Sequence, residues 1–133
     1  MIVADNAMIS YLLIPGEYTD EAERVRSLDS DWVAPSLWVS DFRNVLRNYI
    51  VGDHIALEKA VAYMDGAESL MRGRAYGVSS AEVLALAAGS GCTAYDCEHV
   101  ALAKAAGVQL VTTDKEVLRE FPDVAVHPEH FGT

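Results

Sequence analysis

The chain is poor in cysteine, in cations and in long apolar runs, and each shortage removes a class of protein. Its 133 residues hold two cysteines, Cys92 and Cys97, too few for a disulfide framework. With His99 they suggest metal ligands, but no second ligand pair stands at zinc-site spacing, so two buried thiols are the expectation. No apolar run approaches the ~20 residues of a membrane span, and Met1 to Asp5 show no basic-then-apolar leader pattern. No membrane association is therefore expected, and the location expected is the cytoplasm. Ten Lys and Arg stand against twenty Asp and Glu, a net charge of −10, which argues against coating nucleic acid by bulk electrostatics. It leaves room for a nuclease, because clustered carboxylates are neutralised locally by metal ions. Other chemistries are also missing. No His–Ser or His–Cys nucleophile pair is readable. "HPEH" at 127–130 is not the helical H-E-x-x-H of a metalloprotease. Asp5-Asn6-Ala7 is not the Asp-x-Asp of a phosphatase of the haloacid-dehalogenase type. There is no repeat, low-complexity tract or internal linker, and the length fits one domain over residues 1–133.

What is present is an alternation of apolar runs and helical patterns. "MIVADN" reads as a buried strand stopping at Asp5-Asn6, and "AMISYLLIPGE" continues apolar to the break at Pro15-Gly16. "TDEAERVRSL" is a helix with Thr19 as candidate N-cap. "DWVAPSL" is a short strand. "SLWVSDFRNVLRNY" is a helix ending near Gly52, with Trp38, Phe42, Val45 and Tyr49 as its apolar stripe and Asp41 inside that stripe. Asp53 can cap the next helix, through "HIALEKAVAYMDGAESLM". "RGRAYGVSS" is a loop with room for a short strand. Ser79 and Glu82 have capping-box spacing, as do Thr93 and Asp96, whose helix stops at Gly107. "VQLVT", the helix "KEVLREF" and the strand "DVAVHP" close the chain. Strands apolar nearly throughout, alternating with helices, predict a mainly parallel sheet with helices on both faces.

In such a sheet ligands bind beyond the carboxyl ends of the strands. Asp5 and Asp114 fall at two such ends, Asp96 in the first turn of a helix, and Asp41 in the first turns of another. Each has an ordinary structural use as a cap or turn residue. If the sheet brings these ends together, four carboxylates converge at one edge. At ~4 Å and an effective dielectric of ~20, each like-charged pair repels by roughly 4 kcal/mol, so either protons or a hard cation must be taken up. All-oxygen ligation suits Mg²⁺ or Mn²⁺, and such ions activate water and stabilise charge on a phosphoryl oxygen. Thr112, two before Asp114, is placed to orient a carboxylate or a water, and Asn44 lies one turn after Asp41. Arg43 and Arg47, spaced i, i+4, are weaker candidates for phosphate contacts. Arg72, Arg74 and Lys115 are further cations without a decisive pattern.

These residues resemble the PIN-domain family. "MIVADNAMISYLL" is similar to its opening strand with the first acid, Asp5. "WVAPSLWVSDFRNVL" is similar to its second motif, an acid followed by Asn-Val-Leu, here Asp41 and Asn44 to Leu46. "TAYDCEHVALAKAAGVQLVTTDKEVL" matches its Tyr-Asp helix, Leu-Ala segment and Thr-x-Asp strand end, with Asp96, Thr112 and Asp114. The family's second acid is most often glutamate; here it is Asp41, about 1.3–1.5 Å shorter in reach. The resemblance covers the whole chain and is greatest to VapC-type toxins. It implies a three-layer α/β/α sandwich, four acids (Asp5, Asp41, Asp96 and Asp114) around Mg²⁺ or Mn²⁺, and endoribonuclease activity on RNA. It also implies a homodimer and a cognate antitoxin partner. A different reading remains open: a PIN-like module that binds RNA or a protein without cutting.

Overall fold

The computed structural model describes all of residues 1–133. Its elements run β1 (Ile2–Ala4), α1 (Asn6–Leu13), α2 (Thr19–Leu28), β2 (Trp32–Pro35), α3 (Trp38–Val51) and α4 (Leu57–Leu70). They continue with β3 (Ala75–Tyr76), α5 (Ser80–Ala88), α6 (Ala94–Ala106), β4 (Leu110–Val111), α7 (Lys115–Glu120) and β5 (Ala125–Val126), before a 3₁₀ turn at Pro128–His130. The five strands form one sheet in the order β3-β2-β1-β4-β5, and every neighbouring pair is parallel. No helix is long and apolar enough to cross a membrane.

The central strands are apolar at every position because both faces are covered. Their side chains alternate between two cores. Val3, Val33, Leu110 and Ala125 pack with Val100, Leu102 and Val117 under α5, α6 and α7. Ile2, Ala4, Trp32 and Val111 pack with Met8 and Val25 under α1 and α2. Ala34 joins Ile9, Trp38, Phe42 and Leu46 where α1, α3 and α4 meet. This is the three-layer α/β/α sandwich around a parallel sheet expected from the sequence.

Several local expectations change. Thr19 is the first residue of α2 rather than its N-cap; its Oγ1 instead accepts from the Gly16 amide at 2.9 Å, closing the Pro15-Gly16 turn. Asp53 does not cap α4, which starts four residues later at Leu57; Asp53 takes a left-handed φ of 60° in the turn after α3. The buried stripe of α3 is Trp38, Phe42 and Leu46, while Val45 is half-buried and Tyr49 exposed. Both stripes satisfy a 3.6-residue period. The positions of α1 and α4 select the one that includes Leu46, and this puts Asp41 on the margin of the apolar face. "AMISYLL" is helical from Asn6 because Asp5 caps it, its carboxylate accepting from the Met8 amide at 3.1 Å.

The strand order reverses at β1: the chain moves outward through β2 to β3, then returns to place β4 on the other side of β1. The carboxyl ends of β1 and β4 therefore flank the crevice where an open α/β sheet has room for a ligand.

Candidate functional site

At that crevice Asp5, Asn6, Asp41, Asp96, His99, Thr112 and Asp114 line one cavity of about 170 Å³ with Leu110 and Val117. All four acids singled out from the sequence reach it, each from the start of a different helix. Asp5 caps α1. Asp114 caps α7, its Oδ1 accepting from the Val117 amide at 3.0 Å. Asp96 completes the capping box of α6: the Asp96 amide donates to Thr93 Oγ1 at 3.1 Å, and the Thr93 amide donates to Asp96 Oδ2 at 3.3 Å. Asp41 sits in the first turn of α3. The capping and site uses of these acids thus coexist. Asp96 Oδ1 and Asp114 Oδ2 are left over from the caps, and four helix N-termini turn their positive ends toward the carboxylates.

Thr112 ties two of the acids together. It is 2% exposed, its Oγ1 donates to Asp5 Oδ2 at 2.5 Å, and the same oxygen accepts from the Asp114 amide at 3.0 Å. Its own amide donates to Val126 in β5 at 3.0 Å, which fixes the strand end. Thr112→Val keeps the shape but removes a charge-assisted bond and orphans an amide. We expect it to cost about 1–3 kcal/mol in urea unfolding.

Burial pushes the Asp5 carboxyl up from its ordinary value, against the lowering effect of its bonds from Thr112 and Met8. Burial also raises Asp41; the neighbouring His99 ring opposes the shift, and the charges of Asp96 and Asp5 add to it. Two of the acids therefore sit where negative charge is costly, chiefly because water is excluded from them.

Two cavity residues carry a signal the sequence reading did not use. His99 is one turn after Asp96 on α6, so the pair shares a face, a spacing obscured by the neighbouring cysteines. Its Nε2 and the Oδ1 of Asn6 are buried without a hydrogen-bond partner. Cys92 and Cys97 are buried free thiols, as expected. Asn44 is exposed and outside the cavity lining. Arg43 and Arg47 also lie outside it. They border an apolar groove between α3 and α4, lined by Leu46, Ile50, Leu57 and Met64. Arg74 is committed to an ion pair with Asp31.

The donor set of the cavity is rich in oxygen, with two orphaned polar atoms and a volume that holds several waters at ~30 Å³ each. It suits a hydrated hard cation. A tighter group stands elsewhere: the ligand atoms of Glu21, His127 and Glu129 all lie within 4.8 Å of one another, between α2 and the turn after β5. The cavity acids do not form a group of that tightness.

No family model matches the chain. It is similar to Ribonuclease VapC3 of Pyrobaculum aerophilum, with 29% identity over 130 residues, spanning 91% of this chain and 95% of that protein. Its fold is similar to the crystal structure of PAE2754 from Pyrobaculum aerophilum, with a TM-score of 0.76 at 21% identity over 96% of this chain and 90% of that one. It is also similar to FitAcB from Neisseria gonorrhoeae, with a TM-score of 0.69 at 20% identity over 98% and 99%.

Proposed function

We propose, starting from a chain that resembles the VapC-like PIN family in sequence and in fold, that this protein is a metal-dependent endoribonuclease acting as the toxin of a toxin–antitoxin pair. The observation that carries the reading is the gathering of Asp5, Asp41, Asp96 and Asp114 around one cavity at the sheet's switch point. The relative named as a ribonuclease supports the substrate class.

In this reading Asp5, Asp96 and Asp114, completed by the shorter Asp41, would hold Mg²⁺ or Mn²⁺. Such an ion would supply a nucleophilic water at neutral pH and stabilisation of charge on the phosphate. The protein's share is positioning. Thr112 holds Asp5 in one rotamer through its 2.5 Å bond, and the Asp114 amide holds Thr112 in turn. The caps fix Asp96 and Asp114 to rigid helix ends. The helix N-termini favour the anionic scissile phosphate as they favour the carboxylates. Lys115, exposed and next to Asp114, is an available cation for the RNA backbone.

The toxin reading brings a homodimer, a cytoplasmic location and a cognate antitoxin. The apolar groove between α3 and α4, with Val51, Leu57 and Val61 exposed along it, is a surface that such a partner suits.

The test is cleavage of single-stranded RNA by the purified protein. Activity is expected with millimolar Mg²⁺ or Mn²⁺ and not with EDTA. Asp96→Asn, which retains the capping geometry, is expected to lower it by about 100-fold. Wild-type rates in EDTA or in that variant overturn the reading. RNA binding without cleavage under every metal condition selects the non-cutting PIN-like module.

A further inference from the structure

His99 and Asn6 are the polar cavity side chains that the carboxylate reading leaves without a task, and His99 is the one that offers a nitrogen ligand. It is 8% exposed and lines the cavity with all four acids. Its Nδ1 lies 3.3 Å from the carbonyl oxygen of Tyr95, one turn back on α6. A carbonyl only accepts, so Nδ1 carries the proton, and in the neutral ring Nε2 is left with a bare lone pair. That Nε2 is buried and has no hydrogen-bond partner. A histidine kept only for packing has its buried nitrogens satisfied. One ring nitrogen donating to a backbone carbonyl while the other stands bare among acids is how proteins hold an imidazole ready for a metal. Asp96 and His99, at i and i+3 on one helix, share the spacing of the Glu-x-x-His pairs that ligate di-iron and di-manganese centres in helical bundles, with aspartate in place of glutamate.

We propose that His99 Nε2 is a ligand, beside Asp96, for the divalent ion of this cavity, and that the site therefore takes a first-row transition ion in preference to Mg²⁺. The proposal rests on the metal-dependent reading above and narrows it. Mg²⁺ keeps oxygen ligands and gives up water reluctantly, so a nitrogen ligand adds little to its binding. Transition ions gain from imidazole in the order of the Irving–Williams series, in which Mn²⁺ is the weakest and hence the most demanding probe. The other histidine with acids around it is not prepared in the same way. At the Glu21, His127 and Glu129 group, His127 Nδ1 accepts from the Glu129 amide at 3.1 Å, which puts the ring proton on Nε2. His127 is also only half-buried, and its neighbour His130 pairs with Glu129 at 3.1 Å.

The experiment titrates the purified protein with MnCl₂ and with MgCl₂ by calorimetry, and records pulsed EPR of the Mn²⁺-loaded protein. Wild type is expected to bind Mn²⁺ at least about tenfold more tightly than Mg²⁺ and to show hyperfine coupling from a directly bound nitrogen. His99→Gln is expected to weaken Mn²⁺ by about tenfold or more, to change Mg²⁺ by less than about twofold, and to lose the nitrogen signal. Wild-type protein that binds Mn²⁺ without a nitrogen coupling overturns the His99 assignment alone. Equal weakening of both ions in the variant does the same. Wild-type protein that binds neither ion overturns this proposal together with the metal-dependent reading. His127→Gln, which removes the imidazole of the Glu21, His127 and Glu129 group, is expected to keep the nitrogen signal, and its loss there overturns the assignment even if His99→Gln does not fold.

Discussion

Asp5→Asn is expected to raise the melting temperature of the metal-free protein at pH 7 while lowering RNA cleavage by about 100-fold or more. The opposite signs share a cause. Asp5 is half-buried at the cavity, and the desolvation there raises its pKa in the folded state above the ordinary value of 3.8. A raised carboxyl contributes stability that is fully present below the unfolded pKa and is lost as pH rises through the folded one. At pH 7 folding the wild-type chain therefore either desolvates that charge or takes up a proton, a cost that the bonds from Thr112 and Met8 only partly offset. Asparagine removes the charge and keeps the geometry: its Oδ1 accepts from Met8, and its amide faces Thr112 Oγ1. The gain in melting temperature should shrink as pH falls toward 3.8 and vanish below it, where wild-type Asp5 is itself neutral. Differential scanning fluorimetry in EDTA across pH 3–8 reads this directly. A variant less stable than wild type at pH 7 would mean that the charge is well compensated within the protein.

Adding Mn²⁺ should stabilise the wild-type protein and leave Asp5→Asn nearly unmoved. An ion that binds only the folded state at a hundredfold excess over its Kd contributes about 2.7 kcal/mol, which for a chain of this size is roughly 10 °C. The shift should depend on ion concentration and reverse on chelation. It should also be largest at neutral pH, where the carboxylates repel, and fall as acid protonates Asp5 and Asp41, both raised by burial. No shift at millimolar Mn²⁺ would count against a converged acid site. A shift that survives in Asp5→Asn would place the ion elsewhere, with Glu21, His127 and Glu129 as the alternative group.

Much of the cavity's lining was legible because its residues also cap helices or end strands. Asp96 and Asp114 are helix caps, and capping leaves a spacing signature. Asp5 ends an apolar run, and strand ends are where an α/β sheet binds ligands. Thr112 followed from the two-residue period that puts it on the same side as Asp114. Asn44 and the Arg43–Arg47 pair show the limit of such spacing. They share a helix with Asp41, but α3 turns them to solvent and to the apolar groove. His99 was visible as a residue and illegible as a member of the site. Its meaning depends on which nitrogen is satisfied and on what stands across the cavity, and neither is a property of local sequence.

The sequence by itself determined the alternation of buried strands and helices, the caps that start α6 and α7, and the placing of acids at element ends. All of these follow from local periodicity and from the hydrogen bonds that a nearby side chain can reach. The tertiary structure alone decided that β4 returns beside β1, which brings Asp5 within 2.5 Å of a residue 107 positions away. It also decided which stripe of α3 is buried, since Leu46 and Tyr49 compete on equal periodic terms until α1 and α4 take their places. Strand order is a choice among packings that bury the same apolar surface. No short stretch of chain encodes it, and the meeting of the four aspartates depends on it.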